Sequence, residues 1–324
     1  LQNRLTFCAD IFERKVTDIL IPGGKDYPAL IGDDNLPFEN AGVLKTTGFE
    51  LQAKWSDKLS NGFAYSVGVA LSDDKAEVLS YPSNPTNKIG DGVLYKGYTV
   101  GDIWGYETGG ILQESDFDGV GPNGKPLYHG AYFKGGQPYP GYVWYQDLDH
   151  DGVITSGLST VDDPGDKKVI GNNAPRYRYN ITANFQYKGF DLDLMFQGVG
   201  KRDYWLKDVS SYWGGGAGSW ETYNQSWTPE RTDAKFPMYG SGIGSYAQSG
   251  YLLDASYIKL KQVILGYTFP KALIGKVGLE KLRLNIAAYN LFTLSDVPKY
   301  YDSDYLSDAY PPKRTFSVGI QVGF

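Results

Sequence analysis

The sequence predicts an all-β chain, a transmembrane antiparallel β-barrel wall, and three observations predict it. Segments of about ten residues alternate apolar with small or polar side chains, the connections between them alternate short and long, and the chain ends on such a segment. The last eleven residues, RTFSVGIQVGF, set Phe316, Val318, Ile320, Val322 and Phe324 on one strand face and Thr315, Ser317, Gly319, Gln321 and Gly323 on the other. A strand crossing a bilayer needs about 9–11 residues with apolar side chains toward lipid. An amphipathic edge strand of a soluble sandwich has the same period of two, so this segment alone leaves both readings open.

Seven segments precede it. The first, from about Arg4 to Val16, carries Leu5, Phe7, Ala9 and Ile11 on one side. The second, Lys45 to Trp55, sets Phe49, Leu51, Ala53 and Trp55 against Glu50, Gln52 and Lys54. After the turn SDKLSNG the third sets Phe63, Tyr65, Val67, Val69 and Leu71 against Ala64, Ser66, Gly68, Ala70 and Ser72, which makes a hairpin with a matched apolar face. The fourth and fifth flank Lys188 and Gly189, with Ile181, Ala183, Phe185 and Tyr187 before the turn and Phe190, Leu192, Leu194 and Phe196 after it. Their other face holds Asn184, Gln186, Asp191, Asp193 and Gln197, groups that belong in water. The sixth, YIKLKQVILGYTFP, places Lys259 and Lys261 on the face of Val263 and Leu265 if alternation is regular, as in a strand leaving the bilayer at its upper end. Tyr267 and Phe269 then fall at the opposite interface, where aromatic belts anchor barrels. The seventh is LRLNIAAYNLF.

Connections are short at residues 56–62, 188–189 and 271–280, and long at 17–44, 73–176, 201–255 and 294–313. Short and long therefore fall on opposite ends of the wall. Outer-membrane barrels have short periplasmic turns and long extracellular loops, whereas a soluble sandwich has no reason to sort its connections. The sorting favours the barrel.

Composition agrees. Mean hydropathy is -0.37, and even the apolar stretch from Tyr257 to Phe269 is broken by lysines, so no membrane-spanning helix is present. A net charge of -6 without a basic cluster argues against nucleic acid as a partner. The single Cys8 cannot form an internal disulfide, and two histidines, His129 and His150, are too few for a zinc site.

Six stretches together resemble one family. They are VGDIWGYETGGILQ, YQDLDHDGVI followed by VIGNNAPRYRYNITANFQYKGFDLDLMFQGVG, WTPERTDAKFP, SYIKLKQVILGYTFP, LRLNIAAYNLFTL and PPKRTFSVGIQVGF. In this order they are similar to the C-terminal barrel region of the SusC/RagA-like TonB-dependent outer-membrane transporters. The resemblance implies that residues 1–324 are the C-terminal part of one plugged barrel of about 22 strands, with the plug and N-terminal regions outside the sequence. It further implies TonB-dependent import of oligosaccharides or peptides across a Gram-negative outer membrane, a SusD-like surface lipoprotein as partner, TonB engaged through the missing N-terminal region, and no enzymatic activity. A small self-contained eight-stranded barrel serving as an anchor or adhesin is the alternative, because eight strands can close.

Two groups of residues are candidate sites. Asp147, Asp149, Asp151 and Gly152 form D-x-D-x-D-G, the opening of a calcium loop, in which alternate carboxylates converge on a hard cation and Val153 offers its carbonyl. Leu158 stands where an EF-hand needs its closing carboxylate. By resemblance to a compact family loop, Asp166 closes the site across an insertion of about eight residues, with Asp162 and Asp163 as competitors. Bound Ca2+ and a solvated acidic turn both fit this pattern.

The second group is aromatic: Tyr204, Trp205, Tyr212, Trp213, Trp220 and Tyr223 occupy the 201–255 connection, where rings can stack on a substrate, meet a partner protein, or simply pack. The acid pairs Asp302 with Asp304 and Asp73 with Asp74 could suggest glycoside hydrolysis, but no nucleophile and base accompany them.

Overall fold

A computed structural model describes residues 4–23, 37–205, 223–241, 246–297, 301–306 and 312–324. Eight long strands form one sheet: β1 (Leu5–Pro22), β2 (Phe38–Lys58), β3 (Ala64–Ser80), β4 (Arg176–Tyr187), β5 (Phe190–Lys201), β6 (Tyr257–Thr268), β7 (Lys281–Ser295) and β8 (Thr315–Gly323). They lie side by side in chain order, every neighbour antiparallel. Among the described residues β1 and β8 pair with no strand on their outer edges, so the sheet is open.

The register shows why the sheet is two-faced. One row across it reads Leu5, Trp55, Val67, Ala183, Leu194, Val263, Ala288 and Phe316. A row on the other face reads Cys8, Gln52, Ala70, Asn180, Gln197, Lys259 and Thr293. The apolar face packs against nothing: Ile11 is 90% and Val318 76% exposed. Phe49, Leu192 and Val263 are likewise unburied. No aqueous protein leaves so continuous an apolar face open, whereas hydrocarbon accepts it.

Strand lengths exceed the expectation from sequence. β1 and β2, of 18 and 21 residues, run on past Val16 and begin before Lys45, so much of the predicted 17–44 loop is strand. At about 3.4 Å per residue they reach well beyond a bilayer core about 30 Å thick. The tight turn at Lys188 and Gly189 is as expected, with φ of 46° and 89°, the left-handed pair that a two-residue hairpin demands.

β6 departs from the predicted alternation. Gln262 pairs with Met195 and Leu260 with Phe196, which leaves Lys261 as an extra residue in a bulge. One added residue inverts parity above it. Lys259 therefore joins the row of Gln197 on the polar face while Val263 joins Leu194 on the apolar face, and the four residues do not share a face as regular alternation predicts.

The compact core lies in the long connections. The largest fully buried side chains, Tyr145, Leu112, Ile154, Gln248, Val143, Asp166, Pro237 and Ser226, all belong to them. In the connection predicted as loop 73–176, short strands pair instead: Asp102–Tyr106 with Lys167–Asn172, Thr108–Ile111 with Val143–Tyr145, and Tyr132–Phe133 with Val153–Ile154. Tyr106, Val143, Tyr145 and Ile154 make one apolar cluster. Burial pushes the Tyr106 hydroxyl up to about 12. The wall can leave its side chains to lipid; segments in water must bury their own.

Candidate functional site

The acidic loop is held at both ends by the connection's small strands. Tyr145, two residues before Asp147, is buried, and Ile154 is buried just beyond Gly152. Between them Gly152 and His150 adopt φ of 85° and 62°, and the chain coils on its own carboxylates. Asp147 Oδ2 accepts the Gly152 N–H at 2.8 Å, Asp149 Oδ1 the Asp151 N–H at 3.2 Å, and Asp151 Oδ1 the Val153 N–H at 2.8 Å.

This brings an oxygen from each of Asp147, Asp149 and Asp151 within 4.8 Å of the others. Burial pushes the Asp147 carboxyl up, but N–H donation from Gly152, His150 and Asp151 outweighs it and holds the group below the ordinary carboxylate range. Asp149 moves the other way, raised by desolvation and by the charges of Asp166 and Asp151.

The donor set suits a hard cation: carboxylate oxygens only, with Asp147 Oδ1 shielded from water and lacking any hydrogen-bond donor. Asp166 is not part of the three-carboxylate cluster. Fully buried, it accepts Leu148 N–H on Oδ1 at 2.8 Å and Thr155 N–H on Oδ2 at 2.7 Å, pinning the two sides of the loop together. Asp163 accepts the Leu158 N–H within the neighbouring 156–163 turn. Val153 lies at the loop's exit, paired with Tyr132.

Of the aromatic candidates, Tyr204 and Trp205 sit on a short strand, Asp203–Trp205, paired with Leu252–Asp254. The Tyr204 hydroxyl donates to the Leu306 carbonyl at 2.5 Å. Trp205 is buried among Ile103, Phe236, Leu252 and their neighbours. Both rings are thus spent on packing the connection. Tyr223 is half exposed and meets Tyr239 edge to face. Tyr212, Trp213 and Trp220 lie outside the described residues.

The polar face of the wall holds two grooves for which no residue list followed from the sequence. The upper, about 660 Å³, is lined by Glu50, Ser72, Arg178, Asn180, Gln197 and Tyr257 among others. The lower, about 640 Å³, takes in Lys58, Gln186, Asp191, Asp193 and Arg283. The signal was present in the alternation that set Glu50, Gln52, Asp191 and Gln197 apart, but which residues meet across strands depends on register. The acid pairs are neutralised. Asp73 forms a bidentate pair with Arg176, 2.5 Å on each arm, Asp74 meets Arg178, and Asp302 and Asp304 share Lys259. Held in ion pairs with arginine or lysine, these carboxylates serve as structural anions and lack the free acid and free base that glycoside hydrolysis pairs across a bond.

No family model matches the chain. It is 27% identical to the TonB-dependent receptor P3 of Formosa agariphila over 350 aligned positions, covering 99% of this chain and 32% of that protein. Against the TonB-dependent receptor SusC of Bacteroides thetaiotaomicron the identity is 24%, over 100% of this chain and 30% of the receptor. Among solved structures, that of the RagAB peptide transporter superposes with a TM-score of 0.71 at 20% identity, over 100% of this chain and 34% of the matched one. The chain spans about a third of the length of the relatives it matches. The chain is thus similar over nearly its whole length to TonB-dependent receptors, and its antiparallel wall shares the fold of the matched RagAB chain.

Proposed function

We propose that this chain forms part of the wall and outer vestibule of an outer-membrane importer, driven through TonB and taking up oligosaccharides or peptides with a SusD-like surface lipoprotein. The observation that carries the reading is the two-faced sheet: a broad exposed apolar face, a polar face with grooves, and connections sorted by length onto opposite rims. The open edges of β1 and β8 favour a section of a larger wall over a self-contained eight-stranded barrel, since a barrel must pair its first strand with its last. In this reading the packed long connections face outside the cell and the short turns face the periplasm. The relatives named above are receptors and a transporter, which accords with a binding and conducting role rather than catalysis.

The acidic loop we assign to Ca2+ as a structural ion, with Asp147, Asp149 and Asp151 as ligands and the Val153 carbonyl within the same turn. Asp166 sets the loop's shape from beneath.

The test is uptake. Cells lacking the gene should lose growth on one class of substrate, short peptides or oligosaccharides supplied as the sole source, and a protonophore should abolish uptake in the wild type. A copurifying lipoprotein in outer-membrane extracts supports the partnership. Recovery of the protein as a soluble monomer without detergent would end the whole reading.

A further inference from the structure

The two rims of the wall differ in charge, and the short-turn rim carries features that its role as a turn does not require. The long 73–176 connection alone holds fifteen Asp and Glu against eight Lys and Arg. Each short connection, by contrast, presents exposed lysine: Lys58 at the end of β2, Lys188 in the β4–β5 turn, and Lys271 and Lys276 between β6 and β7. Lys281 adds another at the start of β7. The acids on that rim are Asp57, already paired with Arg4 at 3.1 Å, Asp191, paired with Arg283 at 2.5 Å, and Glu280. Lys188, Lys271 and Lys276 form no ion pair with any described residue.

Directly above these lysines runs a band of rings on the apolar face. Phe63 meets Tyr65, Phe185 and Tyr187, while Tyr267 meets both Phe190 and Phe269. Lys188 Nζ lies 5.1 Å from the centre of the Tyr187 ring, which holds the ammonium at the lower border of the band. In the single helical turn Lys271–Ile274, Ile274 is buried and Leu273 is 60% exposed beside Lys271. Leu59 in the β2–β3 turn is likewise exposed. Rings at the headgroup level, ammonium groups just below, and isolated apolar tips among them match the layering of a phospholipid surface.

We infer that this rim is a binding surface for anionic phospholipid headgroups, with Lys188, Lys271 and Lys276 contacting the phosphates. The inference rests on the outer-membrane reading above and adds a lipid preference to it. Its consequence is orientational: a basic rim seated in anionic phospholipid and an acidic rim in the opposite medium fix the wall's direction in the bilayer, each lysine contributing by a charge interaction that salt screens.

The experiment uses the receptor extracted from outer membranes in detergent. It is mixed with equal amounts of palmitoyl-oleoyl phosphatidylglycerol and the phosphatidylcholine of identical chains, and retained lipid is counted by native mass spectrometry. The expected result is about a tenfold preference for phosphatidylglycerol at low salt. The triple variant K188Q/K271Q/K276Q should fall below about twofold, while K188R/K271R/K276R keeps the preference. A control with K96Q/K125Q/K134Q on the long connections should match wild type. Equal retention of both lipids by the wild type, or an unchanged preference in the glutamine triple variant, overturns the rim assignment while leaving the barrel intact. A protein that retains neither lipid and stays monomeric without detergent overturns the membrane reading itself.

Discussion

Lys259 Nζ lies 2.8 Å from Asp302 Oδ1, although 43 residues separate them and the regular strand pattern would put that lysine on the outward face, above the bilayer. The bulge at Lys261 makes the contact possible by returning Lys259 to the polar face. There it is almost wholly buried, also holds Asp304 Oδ2 at 2.8 Å, and lies over the Tyr257 ring at 5.1 Å. Asp304 accepts a second, longer contact from Lys261 at 3.4 Å. One ammonium thus fastens the β7–β8 connection to the wall.

Replacing Lys259 by methionine should release that connection. The shape of the side chain is kept, but Asp302 and Asp304 lose the charge that neutralises them, and stranding a buried ion-pair partner costs about 3–5 kcal/mol. The expected outcome is rapid protease cleavage near residue 302 with the strands still protected. Deleting the Lys261 charge should have a much smaller effect, because its contact is longer and more exposed. Equal protection of wild type and Lys259→Met would refute the fastening role.

The same contact sets a pH dependence. Burial pushes the Asp304 carboxyl up, but hydrogen bonds from Lys259 and Tyr257 outweigh this and hold it below the ordinary carboxylate value. A carboxyl depressed in the folded state contributes stability that is fully present above its unfolded value of about 4 and is lost as pH falls through the lower folded value. Protease sensitivity near residue 302 should therefore be flat from about pH 7 to 5 and rise only below about 4. In Asp304→Asn that acid-dependent rise should shrink.

Arg283 and Asp191 make a second cross-strand fastening, with Nε to Oδ1 at 3.1 Å and Nη2 to Oδ2 at 2.5 Å. The pair lies across Gly266 on β6, where a Cβ would come within 2.5 Å of Asp191 Oδ2. Gly266→Ala should push the pair apart and cost about 1 kcal/mol, the usual scale for a partly exposed ion pair. In an Arg283→Gln background the same alanine should be nearly neutral. A double-mutant cycle by thermal unfolding in detergent reads the coupling, and strictly additive effects would refute it.

Calorimetric titration should detect Ca2+ at the acidic loop with Kd about 0.1–1 mM, the range of extracellular sites with few ligands. Asp149→Asn should weaken binding about tenfold, since one of three converging charges is removed. Asp166→Asn should instead loosen the loop with or without calcium, because an amide nitrogen cannot accept the backbone N–H that one of its oxygens now takes. That loss is about 1–3 kcal/mol of local stability, readable by hydrogen exchange at Leu148 and Thr155. Absence of any calcium heat in the wild type would remove the ion from the proposal.

The architecture was legible in the order of residues alone. Alternation in eight segments gave their existence and their two faces, because a strand's side chains have a fixed period of two. Sorting of connection lengths gave the rims, and D-x-D-x-D-G gave the three converging carboxylates, since alternate residues in a tight turn point to one centre. What tertiary structure decided is everything that depends on partners distant in the chain. The bulge at Lys261 moved Lys259 off the outward face that regular alternation shared between it and Val263, for a bulge is visible only against the neighbouring strand's register. Tyr204 and Trp205 turned out to be packing groups, because an aromatic side chain carries no mark of whether it will meet a ligand or its own chain. Asp166 became a backbone clamp, its role fixed by which N–H groups the fold brings to it across eleven to eighteen residues. Local period is written in consecutive residues; register, burial and charge neutralisation arise only when separate segments meet.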